Sequence, residues 1–471
     1  MLATKEDTCL KRVNLSDDEI KEIDKEYCSW GDTVHYHDEQ TIFRDCEGSY
    51  MYDGNETPYL DLQMWYSACN LGFKNKRILD AVMDQYSSMP QISSRFVYDY
   101  KALLARKIAL ANLDRYGIKG RVQFNVGGAQ ANEDMLKLIR NYTKKPRMFA
   151  FMGGYHGRTI GTTAVTSSYR YREHFGHMSD TAHFVPFPYC FRCPYGKKCE
   201  SCDMYCAKQF ARLFESEYNG IYDPATKDCE FGGFIAEPLL GTGGDIVSPK
   251  GYFKELKKVL DEHNIIFMVD EVQMGCFRTG KLWAMEHFGV KPDAMTFAKS
   301  ITNGMNPLAG MWAKEELINP QIFPAGRTHS TYAANPIGTR AGYEVMSIFE
   351  EERETLEREI ARKGAKFLDG LKELEKKYKN IGTVNGLGFA LSIEVTEEDG
   401  FTPAKKLCDD IIEDGLKGNL TYKGKKCGIV LNNGGYYKNI ITLVPQLYFS
   451  DEEIDMALEL IDQLFARHTK G

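Results

Sequence analysis

The stretch Ile265-Ile266-Phe267-Met268-Val269-Asp270-Glu271-Val272-Gln273 is five apolar residues running into a carboxylate. A second stretch, Ala294-Met295-Thr296-Phe297-Ala298-Lys299-Ser300, runs in the same way into a lysine. Each predicts a short strand buried on both faces. Runs of the same kind recur at Val122 to Val126, Met148 to Met152 and Phe234 to Ala236, separated by helical patterns such as Tyr252 to Glu262. Short apolar strands alternating with helices predict a parallel sheet covered on both sides. In open sheets of that kind ligands bind beyond the carboxyl ends of the strands. Asp270 and Lys299 both fall there.

Working outward, Tyr59 to Leu62 predicts another short strand, followed by the aromatic pair Trp65-Tyr66. The first forty residues are polar and helix-prone, with a capped start at Ser16-Asp17-Asp18-Glu19. From about residue 337 the pattern changes. A long charged helix, Glu350 to Tyr378, leads to strand-like Gly388 to Ile393, and a strand at Ile440 to Leu443 precedes a closing helix, Glu452 to Ala466. The expected architecture is α/β. A large domain with a mostly parallel sheet sandwiched by helices spans residues 76–336. A smaller α+β domain spans 337–471 and is completed by residues 1–75.

The chain has 471 residues, 43 % apolar and 27 % charged, with a net charge of −7. That length suits two or more subdomains, and that charge gives no general reason to bind nucleic acid or an anionic membrane. No apolar run reaches the roughly 20 residues that span a bilayer, and the amino terminus lacks a signal-peptide pattern. Thirteen cysteines, an odd number in a long chain, predict free thiols in a reducing compartment. The expectation is a cytoplasmic enzyme.

A lysine closing an apolar strand is unusual, because an isolated buried ammonium is costly unless it pairs or loses its charge. Two readings stand for Asp270 with Lys299. One is a strand-end ion pair. The other is the anchorage of a pyridoxal cofactor, whose ring nitrogen needs a carboxylate and whose aldehyde needs an amine. Asn125-Val126-Gly127-Gly128-Ala129-Gln130 adds a third element at the same sheet edge. It follows a strand and opens a helix, where exposed N–H groups and the macrodipole favour a phosphate.

Asp270-Glu271-Val272-Gln273-Met274-Gly275-Cys276-Phe277-Arg278-Thr279-Gly280 resembles the central signature of the class III (ω-) aminotransferases, which have the pyridoxal-5′-phosphate (PLP) fold of type I. Lys299 follows Asp270 by 29 positions, the separation that family uses. Further matches are Gly154-Tyr155-His156-Gly157-Arg158-Thr159, Ala236-Glu237-Pro238, and Ser330-Thr331-Tyr332 with Asn335-Pro336. Together they cover residues 58 to 450 in family order.

The resemblance implies that Lys299 holds the cofactor aldehyde as a Schiff base and that Asp270 contacts the pyridine nitrogen. It places Gln273 near the phenolic oxygen, Val272 and Tyr155 on the two ring faces, and Gly128 and Ala129 at the phosphate. Thr331, with Ser330, reaches the phosphate of the neighbouring subunit, implying a homodimer with a shared active site, alone or within a tetramer. Glu237 stands behind these contacts. The implied reaction moves an amino group from an amine donor to an oxo-acid acceptor. Racemases, epimerases and ammonia-lyases of the same fold use the same cofactor anchors, so those reactions stay open. Arg278 is expected to form a fixed loop ion pair.

Substrate residues depart from the pattern. Arg158 occupies the family's carboxylate-gripping position, suited to bidentate recognition. Trp65 and Tyr66 resemble an aromatic pocket segment, Tyr66 matching a tyrosine of the ornithine enzyme, with pocket-lining and plain packing both open as their role. Thr242, however, stands where ω-amino acid transaminases carry a glutamate, and Thr442 where its partner arginine is expected. Loss of both members is coherent, since either charge alone in a pocket is costly. It favours pyruvate over 2-oxoglutarate as acceptor. Gly127 and Gln130 replace the cluster-binding cysteines of the 4-aminobutyrate enzyme, and Gln130 also replaces the family's usual glutamate.

The insertion 190–206 carries Cys190, Cys193, Cys199, Cys202 and Cys206. Two Cys-x-x-Cys pairs can wrap a structural zinc or an iron–sulfur cluster. Five residues between the pairs is short for a zinc loop, and free thiols or a disulfide are the plainer reading.

Overall fold

The computed structural model describes residues 15–29, 31, 40–176 and 181–469. Its centre is a seven-stranded sheet in the order Gly120–Asn125, Ala309–Lys314, Ala294–Phe297, Ile266–Asp270, Phe231–Ala236, Arg147–Phe151, Ala182–Val185. Six strands run parallel, as the unbroken apolar runs require. Ala309–Lys314 runs antiparallel to both its neighbours, Gly120–Asn125 and Ala294–Phe297. The sheet is therefore mostly parallel, as expected, with one reversed strand that the sequence reading passed over.

Both faces of the sheet are filled. On one, Phe149 stacks on Phe231 at 4.1 Å, and Phe151 meets Phe234 and Phe187 edge-on at 4.8 and 5.0 Å. On the other, Met135, Leu138 and Ile139 of the helix Gly128–Thr143 pack with Met148, Ile235 and Met268.

A second sheet joins the two ends of the chain. Phe43–Glu47, Tyr50–Asp53 and Pro58–Asp61 are extended by Lys425–Val430 and Leu420–Tyr422, with Tyr59 paired to Gly428 in parallel. A third, antiparallel sheet holds Ile381–Leu387, Ala390–Val395, Ile440–Leu443 and Asn432–Gly434. The helices Arg353–Lys377 and Asp451–His468 pack together beside these sheets.

The long helix expected over Glu350 to Tyr378 is present as Arg353–Lys377, and a separate helix, Pro336–Glu351, precedes it. Pro336–Glu351 starts at an Asn335 cap, whose Oδ1 accepts the Gly338 N–H at 2.7 Å, with Pro336 in the first turn. Glu352 then breaks the run, and Arg353–Lys377 follows. The capped start at Ser16 is present as a reciprocal box with Glu19. Among the described residues no helix is long and apolar enough to cross a membrane.

Candidate active site

Because six strands share a direction, their carboxyl ends collect on one edge. There Asp270 pairs in register with Thr296, and Lys299 lies three residues further along the adjacent strand's exit. A cavity of about 410 Å³ opens at this edge. It is lined by Lys299, Asp270, Gly128, Ala129, Tyr155, Val272, Gln273 and Glu237, with Trp65 and Tyr66 at its mouth.

The geometry around Asp270 is closely specified. Its Oδ2 accepts from Asn132 Nδ2 at 2.7 Å and faces His156 Nδ1 at 2.9 Å. Its Oδ1 accepts from the Val272 N–H at 3.0 Å and from Thr296 Oγ1 at 3.4 Å. Thr296 Oγ1 also donates to Asn132 Oδ1 at 2.8 Å, which fixes which end of the Asn132 amide turns to the carboxylate. The sequence carries no sign of a role for Asn132 or for Thr296, which stands inside an apolar strand run. His156 stood inside a quoted motif without a role.

Lys299 takes a left-handed backbone conformation (φ 50°), a strain typical of functional positions. Its ammonium makes no hydrogen bond and no ion pair among the described residues. Burial lowers its pKa, and the charges of Asp270, Glu237 and Asp245 oppose that shift. A strand-end ion pair is thus not what the geometry presents: the amine is free and faces the cavity.

The helix Gly128–Thr143 begins at the cavity wall, with Gly127 as its cap. Nothing lies within 4 Å of where a Gly127 side chain would stand, whereas a methyl group on Gly128 would be 3.0 Å from Val272 Cγ1. Gly128 is therefore what lets Val272 and the helix start share one wall. Glu237 carries the opposite side, its Oε1 accepting the Tyr155 N–H at 2.8 Å and its Oε2 the Gly241 N–H at 3.0 Å. Burial pushes its carboxyl up to about 7. A methyl group on Gly241 would press on the Gln273 amide, which would have to shift.

At the mouth, Met64, Trp65, Tyr66 and Ser67 form one turn of left-handed helix, with φ of 44, 51, 56 and 63°. Such runs are avoided by L-residues. Arg158 is exposed at the rim beside them, its guanidinium 4.6 Å from the Tyr171 ring centre and 6.0 Å from that of Tyr155. Ser330 and Thr331 do not line this cavity; Ser330 borders a separate hollow with Ser94 and Val97, and Thr331 is exposed.

Two expectations need correction. Arg278 is fully buried, but it donates to the carbonyls of Phe389 and Pro445 and to Asn70 Oδ1, with no carboxylate within salt-bridge distance among the described residues. It ties a loop to three distant segments without an ion pair, and burial lowers its pKa to about 9. The five cysteines of the insertion do border one small hollow. Even so, no group of three or more His, Cys, Asp or Glu among the described residues is arranged to hold a metal ion. Cys190 Sγ and Cys199 Sγ are 2.7 Å apart, too close for two corners of a zinc tetrahedron, where bonds of 2.3 Å separate sulfurs by about 3.8 Å. Zinc at Cys190, Cys193, Cys199 and Cys202 is not supported.

The family profile described as "Aminotransferase class-III" matches residues 34–465. The chain belongs to the class III aminotransferases. It is 30 % identical to the leucine/methionine racemase of Thermococcus litoralis over 431 residues, 89 % of each chain. It is 31 % identical to the 4-aminobutyrate aminotransferase GabT of Escherichia coli over 431 residues, 90 % of this chain and 93 % of that one. Among solved structures, an amine transaminase from an uncultivated Pseudomonas species in its PLP-bound form superposes with a TM-score of 0.83 at 24 % identity, covering 94 % of this chain and 99 % of the other.

Class III aminotransferases use PLP, and this aminotransferase has the parts to hold it. A helix start with exposed N–H groups, a buried carboxylate and an unpartnered lysine amine face one cavity of fitting size.

Proposed function

We propose that this class III aminotransferase moves the amino group of a primary amine, ω-amino acid or amino acid to an oxo acid, with pyruvate preferred over 2-oxoglutarate. The observation that carries the reading is the convergence of Lys299, Asp270 and the Gly128–Ala129 helix start on one cavity. Bound there, PLP supplies an aldehyde for Lys299 to hold covalently and a ring that accepts electrons.

The chain's own residues do the rest. The N–H groups of Gly128 and Ala129 would hold the phosphate, and Asp270, kept in place by Asn132 and His156, would keep a proton on the ring nitrogen. Val272, Tyr155 and Gln273 line the cavity where the cofactor's ring would be held. Lys299 Nζ, its charge weakened by burial, moves a proton at the substrate carbon that carries the amine. Glu237 positions Tyr155 from behind. Trp65, Tyr66 and Arg158 receive the substrate. Ser330 and Thr331, outside their own subunit's cavity, serve a second copy in a homodimer.

The acceptor preference rests on Thr242 and Thr442. A methyl group on Gly434 would stand 3.2 Å from the Thr242 carbonyl and 3.5 Å from Thr442 Cγ2, so the two threonines flank one glycine. Neither supplies a charge for a second carboxylate.

Similarity to a leucine/methionine racemase favours one second reading, racemisation of an amino acid. The test is a single turnover without acceptor. Transamination releases one oxo acid per subunit from the donor and none from Lys299→Ala. Loss of optical activity with no oxo acid released would overturn the reading in favour of racemisation.

A further inference from the structure

The cysteine-bearing insertion follows the strand Ala182–Val185 and joins the edge of the central sheet to the third sheet. Tyr189 is buried; its Oη donates to Glu394 Oε2, and its ring stacks on that of Tyr436 at 6.0 Å. Tyr436 Oη in turn donates to the Met152 carbonyl at 2.7 Å. From Met152 the chain runs through two glycines to Tyr155, which lines the cavity. Arg192 donates through Nε to the same Glu394, its guanidinium 4.7 Å from the Phe401 ring centre. Two side chains of the insertion thus hold one buried carboxylate, and one of them leads by way of Tyr436 to the cavity wall.

Cys190 lies between these two anchors. Its thiol meets Cys199 Sγ at 2.7 Å, a short step from the roughly 2.05 Å of a disulfide bond. Cys202 Sγ is turned instead to the Cys199 carbonyl, at 3.5 Å. Cys199 is exposed, whereas Cys190 is half-buried beside a small hollow walled by Tyr195, Tyr205 and Pro249. A reagent from solvent therefore meets Cys199 first, with Cys190 behind it in place to resolve the product. Burial and the contact with Cys199 push the Cys190 thiol up. A thiol that resists ionisation surrenders little thiolate stabilisation when oxidised, which favours the closed bond.

We propose that Cys190 and Cys199 form a reversible disulfide, closed and opened by exchange with small-molecule disulfides and thiols, which firms the Tyr189 anchor and with it the cavity wall at Tyr155. The Cys199 sulfur attacks one sulfur of the small disulfide and expels its other half as a thiol. The Cys190 sulfur then attacks that of Cys199, forming the protein bond and expelling the second small thiol. Each protein sulfur passes its proton to a departing one, so two protein thiols are oxidised while one small disulfide is reduced to two thiols. This modification site goes beyond amino-group transfer and needs no particular donor.

The test equilibrates the holoenzyme with mixtures of oxidised and reduced glutathione, then blocks the remaining thiols and maps the peptides. Cys190 should be found joined to Cys199 as the oxidised share rises, and the bond should reopen when reduced glutathione is added. Cys202→Ser should form the same bond, and Cys199→Ser should form none. In the bonded parent, hydrogen exchange of the amides from Met152 to Tyr155 should slow by roughly threefold or more, with no such response in Cys199→Ser. Neither readout needs turnover, so each stands apart from the transamination reading. Thiols that stay reduced at every ratio, or a bond that joins other cysteines, would overturn the proposal. A Cys190–Cys199 bond that leaves this amide exchange unchanged would overturn it as well, because the anchor would then not reach the cavity wall.

Discussion

Asn132 Nδ2 lies 2.7 Å from Asp270 Oδ2, joining the first turns of the helix Gly128–Thr143 to the carboxylate at the end of the strand Ile266–Asp270. The same oxygen faces His156 Nδ1 at 2.9 Å. Both donors aim the carboxylate into the cavity. The Asn132 contact ties the helix start at the cavity wall to the carboxylate at the strand end.

Asn132→Ala should therefore lower kcat/KM without touching substrate. A hydrogen bond to a charged group contributes roughly 1.5–3 kcal/mol, which corresponds to a 10- to 100-fold loss. The pH at which the bound cofactor's visible band titrates should also move. A fall in melting temperature with that pH unchanged would mark Asn132 as structural only.

Glu271, next in the chain, points the other way. It is buried and accepts the N–H groups of Ala284 and Met285, each at 2.9 Å. Burial pushes its carboxyl up to about 8 from 4.5. A group whose pKa is raised by folding favours the folded state most below its unfolded value, and that contribution is lost as pH rises toward the folded value. Stability to urea should fall by a few kcal/mol between pH 4.5 and 8. Glu271→Gln should flatten that slope, and an identical slope in the variant would show that the titrating group is another.

Much of this was legible in the sequence because it is written locally. Apolar runs ending in Asp270 and Lys299 fix strands, and parallel strands place their ends together. The direction of Ala309–Lys314 is not written that way, since an apolar run reads the same in either orientation. Asn132, His156 and Thr296 are brought to Asp270 by the sheet from 138, 114 and 26 residues on either side. The left-handed turn at Met64–Ser67 was the least legible, because it holds no Gly or Asn, the residues that signal such a conformation.

That turn makes an unusual stability prediction. In an ordinary helix interior Ala is more stable than Gly by about 1 kcal/mol. At Trp65, which is 59 % exposed with φ 51°, the order should reverse, because Gly alone escapes the left-handed penalty of about 1–2 kcal/mol. Urea unfolding of Trp65→Gly and Trp65→Ala measures the difference directly. Ala equal to or above Gly would mean that the turn relaxes on substitution.

The Thr242–Thr442 pair offers a test of acceptor choice. Thr442 is buried, with Oγ1 accepting from Asn432 Nδ2 at 3.0 Å, and the Thr242 carbonyl accepts the Gly435 N–H at 3.0 Å. Thr442→Arg alone would place an unpaired guanidinium in this closed corner, and an uncompensated buried charge costs about 3–5 kcal/mol. Thr242→Glu alone would add an unpaired carboxylate to the segment whose carbonyl accepts the Gly435 N–H. Together they would neutralise each other across Gly434, and the arginine would become available to a second carboxylate when the pair opens. The expected outcome is two destabilised single variants and a double variant that recovers at least half of the summed loss. In the double variant alone, kcat/KM for 2-oxoglutarate should rise relative to pyruvate. Strictly additive losses, or a parent enzyme that already prefers 2-oxoglutarate, would show that acceptor choice is set elsewhere in the cavity.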